Sequence, residues 1–183
     1  MAYRNGTYIA FHADGTNQPG KSDIDYYNLL KAWSAKTDDD FAMINSHEKT
    51  SAVRDTSKRT TLRAHLLERL RNSKNMVLII GETTKNDTDW VPFEIAQAID
   101  TYKIPIIAAY TDYTSILAPA DLRLLWPVAL AQRIDNQKAH VIHIPFKKPP
   151  LTDAIPRFDH NNYPKGGGLG YYTREAQQQW GLL

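Results

Sequence analysis

Short apolar runs alternate with amphipathic stretches along most of the chain. Residues 7–12 (TYIAFH) are aromatic and β-branched and read as a buried strand. Residues 13–22 (ADGTNQPGKS) hold two Gly and one Pro among polar neighbours, which makes them a loop. Tyr26, Leu29, Leu30 and Trp33 then fall at helical spacing over residues 25–36, with Asp23 or Asp25 near the start as cap. Residues 41–45 (FAMIN) predict a second strand. A charged, Thr-rich stretch at 46–60 leads into a helix at 61–72, with Leu62, Leu66, Leu67 and Leu70 as its stripe. Residues 75–81 (NMVLIIG) form a continuous apolar run, the pattern of a strand covered by helices on both faces. A loop at 82–88 precedes a helix at 89–102, whose Pro92 is tolerable in the first turn because no N–H is needed there. Residues 104–110 (IPIIAAY) and 141–146 (VIHIPF) predict a fourth and fifth strand, separated by a helical stretch at 118–133 that breaks near Pro127.

Strands alternating with helices, apolar in the middle, predict an α/β fold with a doubly wound parallel five-stranded sheet. Residues 147–183 change character, with Pro149, Pro150, Pro156 and Pro164 ahead of the run GGGLG at 166–170. Only residues 171–180 there suggest a helix. The expected division is a domain over residues 1–150 and an extension over 151–183 that packs on the domain or on a partner. The glycine run reads as a flexible joint.

A length of 183 residues fits about one domain of roughly 100–200 residues. Lys and Arg number 22 against 20 Asp and Glu, so the formal charge of +2 gives no footprint for nucleic acid or a membrane surface. Cysteine is absent, which excludes a thiol nucleophile, a thiolate metal site and a disulfide framework. The first seven residues lack a signal-peptide core, and no run approaches the ~18 apolar residues of a membrane span. The expectation is a cytoplasmic protein.

Most motif chemistry fails. GGGLG follows Pro164-Lys165, with no strand before it and no Lys-Ser/Thr after it, so it is no phosphate-binding P-loop. No G-x-G-x-x-G follows the first strand, and no G-x-S-x-G occurs. The third strand ends Ile79-Ile80-Gly81, without the Asp of a phosphoacceptor. His140 and His143 lie three apart beside a strand, facing opposite ways, and read as one surface and one core histidine; no metal site is expected.

One carboxylate survives. Val91, Ile95, Ala98, Ile99 and Tyr102 share a helix face, and Glu94 falls at its border, one turn beyond Trp90. Burial there raises its pKa while the helix N-terminus lowers it. The plain alternative is a border glutamate that reaches water. In a doubly wound sheet, ligands bind beyond the carboxyl ends of the strands. The loop at 13–22, the turn at Ser46 and the Trp90/Glu94 helix all leave from that edge. Taken singly, Phe11 reads as core, His12 as a strand-end histidine and Ser46 as a turn residue.

FHADG after the first strand, the basic stretch before the second helix, VLIIGETT, and WVPFEI followed by IPIIAAY resemble a bacterial TIR-like domain. The subgroup is the one that includes the signal-producing TIR proteins of Thoeris anti-phage defence systems. The resemblance covers about residues 8–110. The long first loop departs from the family pattern, and the motifs are not those of animal adaptor TIR domains. It implies a flavodoxin-like sheet with Glu94 as catalytic residue and Trp90 as its motif aromatic. It places Phe11, His12, Ala13 and Asp14 in a nucleotide-facing loop, with Ser46 at the matching position after the second strand. The implied enzyme is an NAD glycohydrolase or ADP-ribosyl cyclase, with NAD as substrate and no cofactor. It also implies self-assembly through TIR-like surfaces, and a cyclic ADP-ribose-derived signal that reaches a downstream effector by diffusion. A non-catalytic TIR–TIR interaction module and a nucleoside deoxyribosyltransferase-like enzyme are the alternatives.

Overall fold

The computed structural model describes residues 4–13, 23–35, 43–44 and 56–183. Among the described residues, six parallel strands form one sheet in the order β2-β1-β3-β4-β5-β6. They are β1 (Gly6–Ala10), β2 (Met43–Ile44), β3 (Ser73–Ile80), β4 (Ile106–Tyr110), β5 (Val141–Pro145) and β6 (Gly170–Tyr171). The first five are the strands expected from the apolar runs, in a flavodoxin-like order. The two-residue β6 is an addition that the sequence pattern did not signal. Of the expected strand at 41–45 only Met43–Ile44 is described, and the loop at 14–22 and the turn at Ser46 lie outside the described residues.

The helices are α1 (Ile24–Ser34), α2 (Thr56–Arg71), α3 (Trp90–Ala96), α4 (Val128–Asp135), α5 (Lys148–Arg157) and α6 (Arg174–Gln179). Helix α3 runs on into a π-helical turn at Gln97–Thr101. The stretch expected at 118–133 splits at Pro127 into a 3-10 turn (Pro119–Leu125) and α4, because proline cannot continue the hydrogen-bond ladder.

Strand alternation builds two apolar layers. Tyr8, Ala10, Met76, Leu78, Ile80, Ile106 and Ala108 face α2, α3 and α4, meeting Leu66, Leu70, Val91, Ile95 and Leu130. Ile9, Phe11, Val77, Ile79, Ile107 and Ile144 face α1 and α5, meeting Tyr27, Leu30, Leu151 and Ile155. Strand β3 is therefore covered on both sides, which accounts for its unbroken run of apolar residues.

The C-terminal segment departs from expectation. The division drawn at 150 falls inside α5, whose Pro149 and Pro150 occupy the first turn. GGGLG is a fitted turn that leads into the sheet, not a flexible joint: Gly167–Leu169 form a 3-10 turn and Gly170 begins β6. Gly166 and Gly167 have φ of 94° and 61°, open to glycine at little cost. A Cβ on Gly168 would come within 2.8 Å of Ile134, and one on Gly170 within 2.7 Å of the Val141 carbonyl. A buried polar chain holds the segment: the Trp126 indole N–H donates to the Tyr110 hydroxyl (2.7 Å), which lies 2.7 Å from His143 Nδ1. His143 Nε2 in turn donates to the Gly168 carbonyl (2.9 Å), so the neutral ring carries its proton on Nε2. Burial holds the His143 pKa down at about 4. Next, Gln177 accepts from the Ile116 N–H (3.0 Å) and donates to the Ile116 and Tyr172 carbonyls. Tyr172 packs edge-on against Trp180 and rests with it on the chain's own domain, while Tyr171 stays exposed.

Candidate active site

The strand order reverses between β1 and β3, and the crevice of such a sheet lies beyond their carboxyl ends. His12 leaves β1 there, and Gly81 begins the connection from β3 to α3. His12 Nδ1 lies 3.2 Å from Asp87 Oδ2. The other oxygen of Asp87 accepts from the backbone N–H groups of Asp89 (2.8 Å) and Trp90 (3.0 Å). One carboxylate thus ties the end of β1 to the first turn of α3 and satisfies two N–H groups that have no helical partner.

A second carboxylate, the buried Asp23, braces the same edge. The Thr84 hydroxyl donates to Asp23 (2.7 Å) and accepts from the Gly81 N–H (2.8 Å). Gly81 is required here for space, since a Cβ would stand 2.1 Å from Asp23 Oδ1. Burial raises the Asp23 pKa, with the Thr84 hydrogen bond acting against it.

Glu94 sits in the second turn of α3 and points into the core, with no exposed surface. It does not reach water as a border residue would. Its Oε1 accepts the Tyr8 hydroxyl proton at 2.6 Å. Burial pushes the Glu94 pKa up to about 8; the Tyr8 hydrogen bond opposes this, and the negative charge of Asp87 adds to it. At neutral pH the carboxyl is therefore mostly protonated. The same burial, with the Glu94 charge, holds the Tyr8 hydroxyl well above its usual range.

Trp90 is half-buried, and the guanidiniums of Arg59 and Arg63 lie over its ring. Phe11 does not join Glu94: it faces the opposite layer, stacked on Tyr27 with ring centroids 4.8 Å apart. The half-buried Ala13 packs in that layer too. Asp14 and Ser46 lie outside the described residues. So His12, Trp90 and Glu94 share one side of the sheet, linked through Asp87, while Phe11 and Ala13 occupy the other. Sequence reasoning missed Tyr8 and Asp87. Tyr8 is the one hydroxyl on the face that it shares with Ala10 and His12, and Asp87 stands three residues before Trp90, at a capping distance.

A doubly wound parallel sheet, with a glutamate one turn past a tryptophan on the helix after β3, is the arrangement that the resemblance to a TIR-like domain implies. Residues 8–116 match the family model of the TIR-like domain of Thoeris protein ThsB, and the chain belongs to that family. The match begins at Tyr8 and includes His12, Asp87, Trp90 and Glu94; β5, β6 and α4–α6 lie beyond it. Among the described residues, no helix is long and apolar enough to cross a membrane.

Proposed function

We propose that this chain is an NAD-consuming enzyme of bacterial anti-phage defence, with Glu94 as its catalytic residue. The observation that carries the reading is the Glu94 carboxyl itself, buried on α3 beside Tyr8 and one turn beyond Trp90. The reaction breaks the bond between the nicotinamide nitrogen and ribose C1′. Nicotinamide departs neutral with the bonding pair, and positive charge develops on the ribosyl group, as in other glycosyl transfers. No proton need be given to this leaving group, so a single carboxylate suffices to hold the ribose and stabilise the charge. A preorganised group of this kind is typically worth about 3–4 kcal/mol. Water at C1′ then yields ADP-ribose and releases a proton; an adenine nitrogen of the same molecule yields a cyclic product. The cyclic product is the proposed signal, carried by diffusion to a downstream effector.

The burial of Glu94 adds a condition. The carboxyl must lose its proton and meet the ligand before it can act, which suits an enzyme held at rest until triggered, by self-assembly through TIR-like surfaces or by a phage cue. The same burial favours the second reading, a non-catalytic interaction module. Incubating activated wild type and Glu94→Gln with NAD and with nucleosides, followed by mass spectrometry, separates them. The expected result is nicotinamide release by the wild type and none by the variant. Equal turnover by a folded Glu94→Gln would remove Glu94 from the chemistry; nucleoside exchange without NAD cleavage would point to a deoxyribosyltransferase-like enzyme.

A further inference from the structure

Arg59 and Arg63 stand one turn apart on α2, so their side chains leave the same helix face. Both reach the start of α3. Arg59 Nη2 donates to Asp89 Oδ2, and Arg63 Nη2 lies 3.6 Å from Asp89 Oδ1. Both guanidiniums lie over the Trp90 ring, 5.4 and 5.8 Å from its centroid, and Arg63 also lies 4.9 Å from that of Phe93. Both cations therefore lie within cation–π range of aromatic rings.

The balance of charge and donors is unequal. Elsewhere Arg123 meets Asp135 one to one, with two bonds of 2.6 Å. Here, among the described residues, two guanidiniums share one carboxylate, leaving a net positive charge. Arg63 Nε is buried and has no acceptor among the described residues. The two arginines and Asp89 are each partly exposed, at 46, 43 and 38% of their side chains, so their ion pairs are individually weak and open to exchange. A ligand with more oxygens and more charge than one carboxylate would satisfy this set better, and paired phosphates match the fork of arginine. The arginines already cover Trp90, so its ring serves to hold them more than to stack on a base.

We propose that Arg59 and Arg63 form a subsite for the diphosphate of a nucleotide, and that Asp89 fills it as an internal competitor until the ligand displaces it. The identity of that ligand as a dinucleotide substrate rests on the reading of Glu94 above. Its place fits, because Trp90 and Glu94 are one helical turn apart and the diphosphate lies next to the ribose that Glu94 would hold.

The test is calorimetric titration of the whole chain with inorganic pyrophosphate, ADP-ribose and adenosine. The variants are Asp89→Asn, Arg59→Gln with Arg63→Gln, and Glu94→Gln, each checked by circular dichroism and melting temperature. Wild type should bind pyrophosphate and ADP-ribose with a salt-dependent Kd. The double arginine variant should weaken both by tenfold or more and leave adenosine unchanged. Asp89→Asn should tighten pyrophosphate binding several-fold, an outcome that a merely structural ion pair would not produce. Folded Asp89→Asn with unchanged or weaker binding, a double variant that binds like wild type, or no pyrophosphate binding at all would overturn the proposal. Pyrophosphate has no glycosidic bond, so these results stand apart from whether Glu94 cleaves anything. Glu94→Gln should bind it as wild type does.

Discussion

Replacing Glu94 by Gln alters one proton site while preserving side-chain volume and the acceptor for Tyr8. The Glu94 pKa moves from 4.5 to about 8 on burial, so between these values the folded chain holds a proton that the unfolded chain has lost. Wild-type stability from this group is complete below pH 4.5, falls as pH rises, and levels off above about 8. The slope approaches about 1.4 kcal/mol per pH unit, and integration from pH 5 to pH 9 gives about 4 kcal/mol. Gln cannot ionise and lacks this loss. Asp23, also raised by burial, contributes in the same direction to both proteins and cancels in the comparison. Urea denaturation of both proteins at half-unit steps from pH 5 to pH 9 measures the difference. Glu94→Gln should gain on the wild type steadily across that interval, then run parallel to it. Two curves parallel throughout would mean that Glu94 titrates as an exposed carboxyl in solution, and the argument from its burial would fail.

Three further outcomes follow from the same geometry. If the ionised carboxyl is the active form, NAD turnover should rise about tenfold from pH 7 to pH 9 and level off above about 8; a profile flat over that interval would contradict it. In nitrogen-detected NMR, His143 should remain a neutral Nε2–H tautomer throughout pH 5.5 to 8, because burial has lowered its pKa to about 4; titration near the ordinary 6.5 would refute the polar chain to Tyr110 and Gly168. Gly170→Ala should cost about 2 kcal/mol and on the order of 6 °C in Tm, since its Cβ meets backbone carbonyls. Gly167→Ala, with nothing within 4 Å but a φ of 61°, should cost only about 1 kcal/mol by calorimetric melting; equal losses would show that close fit is not what holds the glycine run.

The sheet was legible because its signals are local. NMVLIIG announces a strand covered on both faces, and the leucines of α2 mark its buried side before any contact is known. Trp90 and Glu94 were legible as a pair because four residues on a helix bring side chains onto one face. The partner of Glu94 was not, since Tyr8 lies 86 positions away and is brought near by the pairing of β1 beside β3. Full burial of Glu94 was hidden for the same reason: a border position on a helical wheel does not say how far the neighbouring strand's side chains reach. Strand periodicity of two, applied to Phe11 beside His12, separates their faces, and the family resemblance that grouped them did not respect it. The sixth strand left no signal because two residues, one of them glycine, carry no alternation.

That sixth strand changes what the sheet can do in company. An unpaired strand edge is a template onto which a second chain can add by backbone hydrogen bonds. Beside β5 that template is already taken, since Gly170 and Tyr171 lie against Ile142 and His143. What faces outward there is too short to guide another strand, and brevity is itself a known guard against such growth. Joining copies of this chain by extending their sheets from the β5 side is therefore disfavoured. Any contact between copies would then fall to helices, to loops or to the β2 side. Removing residues 166–183 would turn a closed margin into a sticky one.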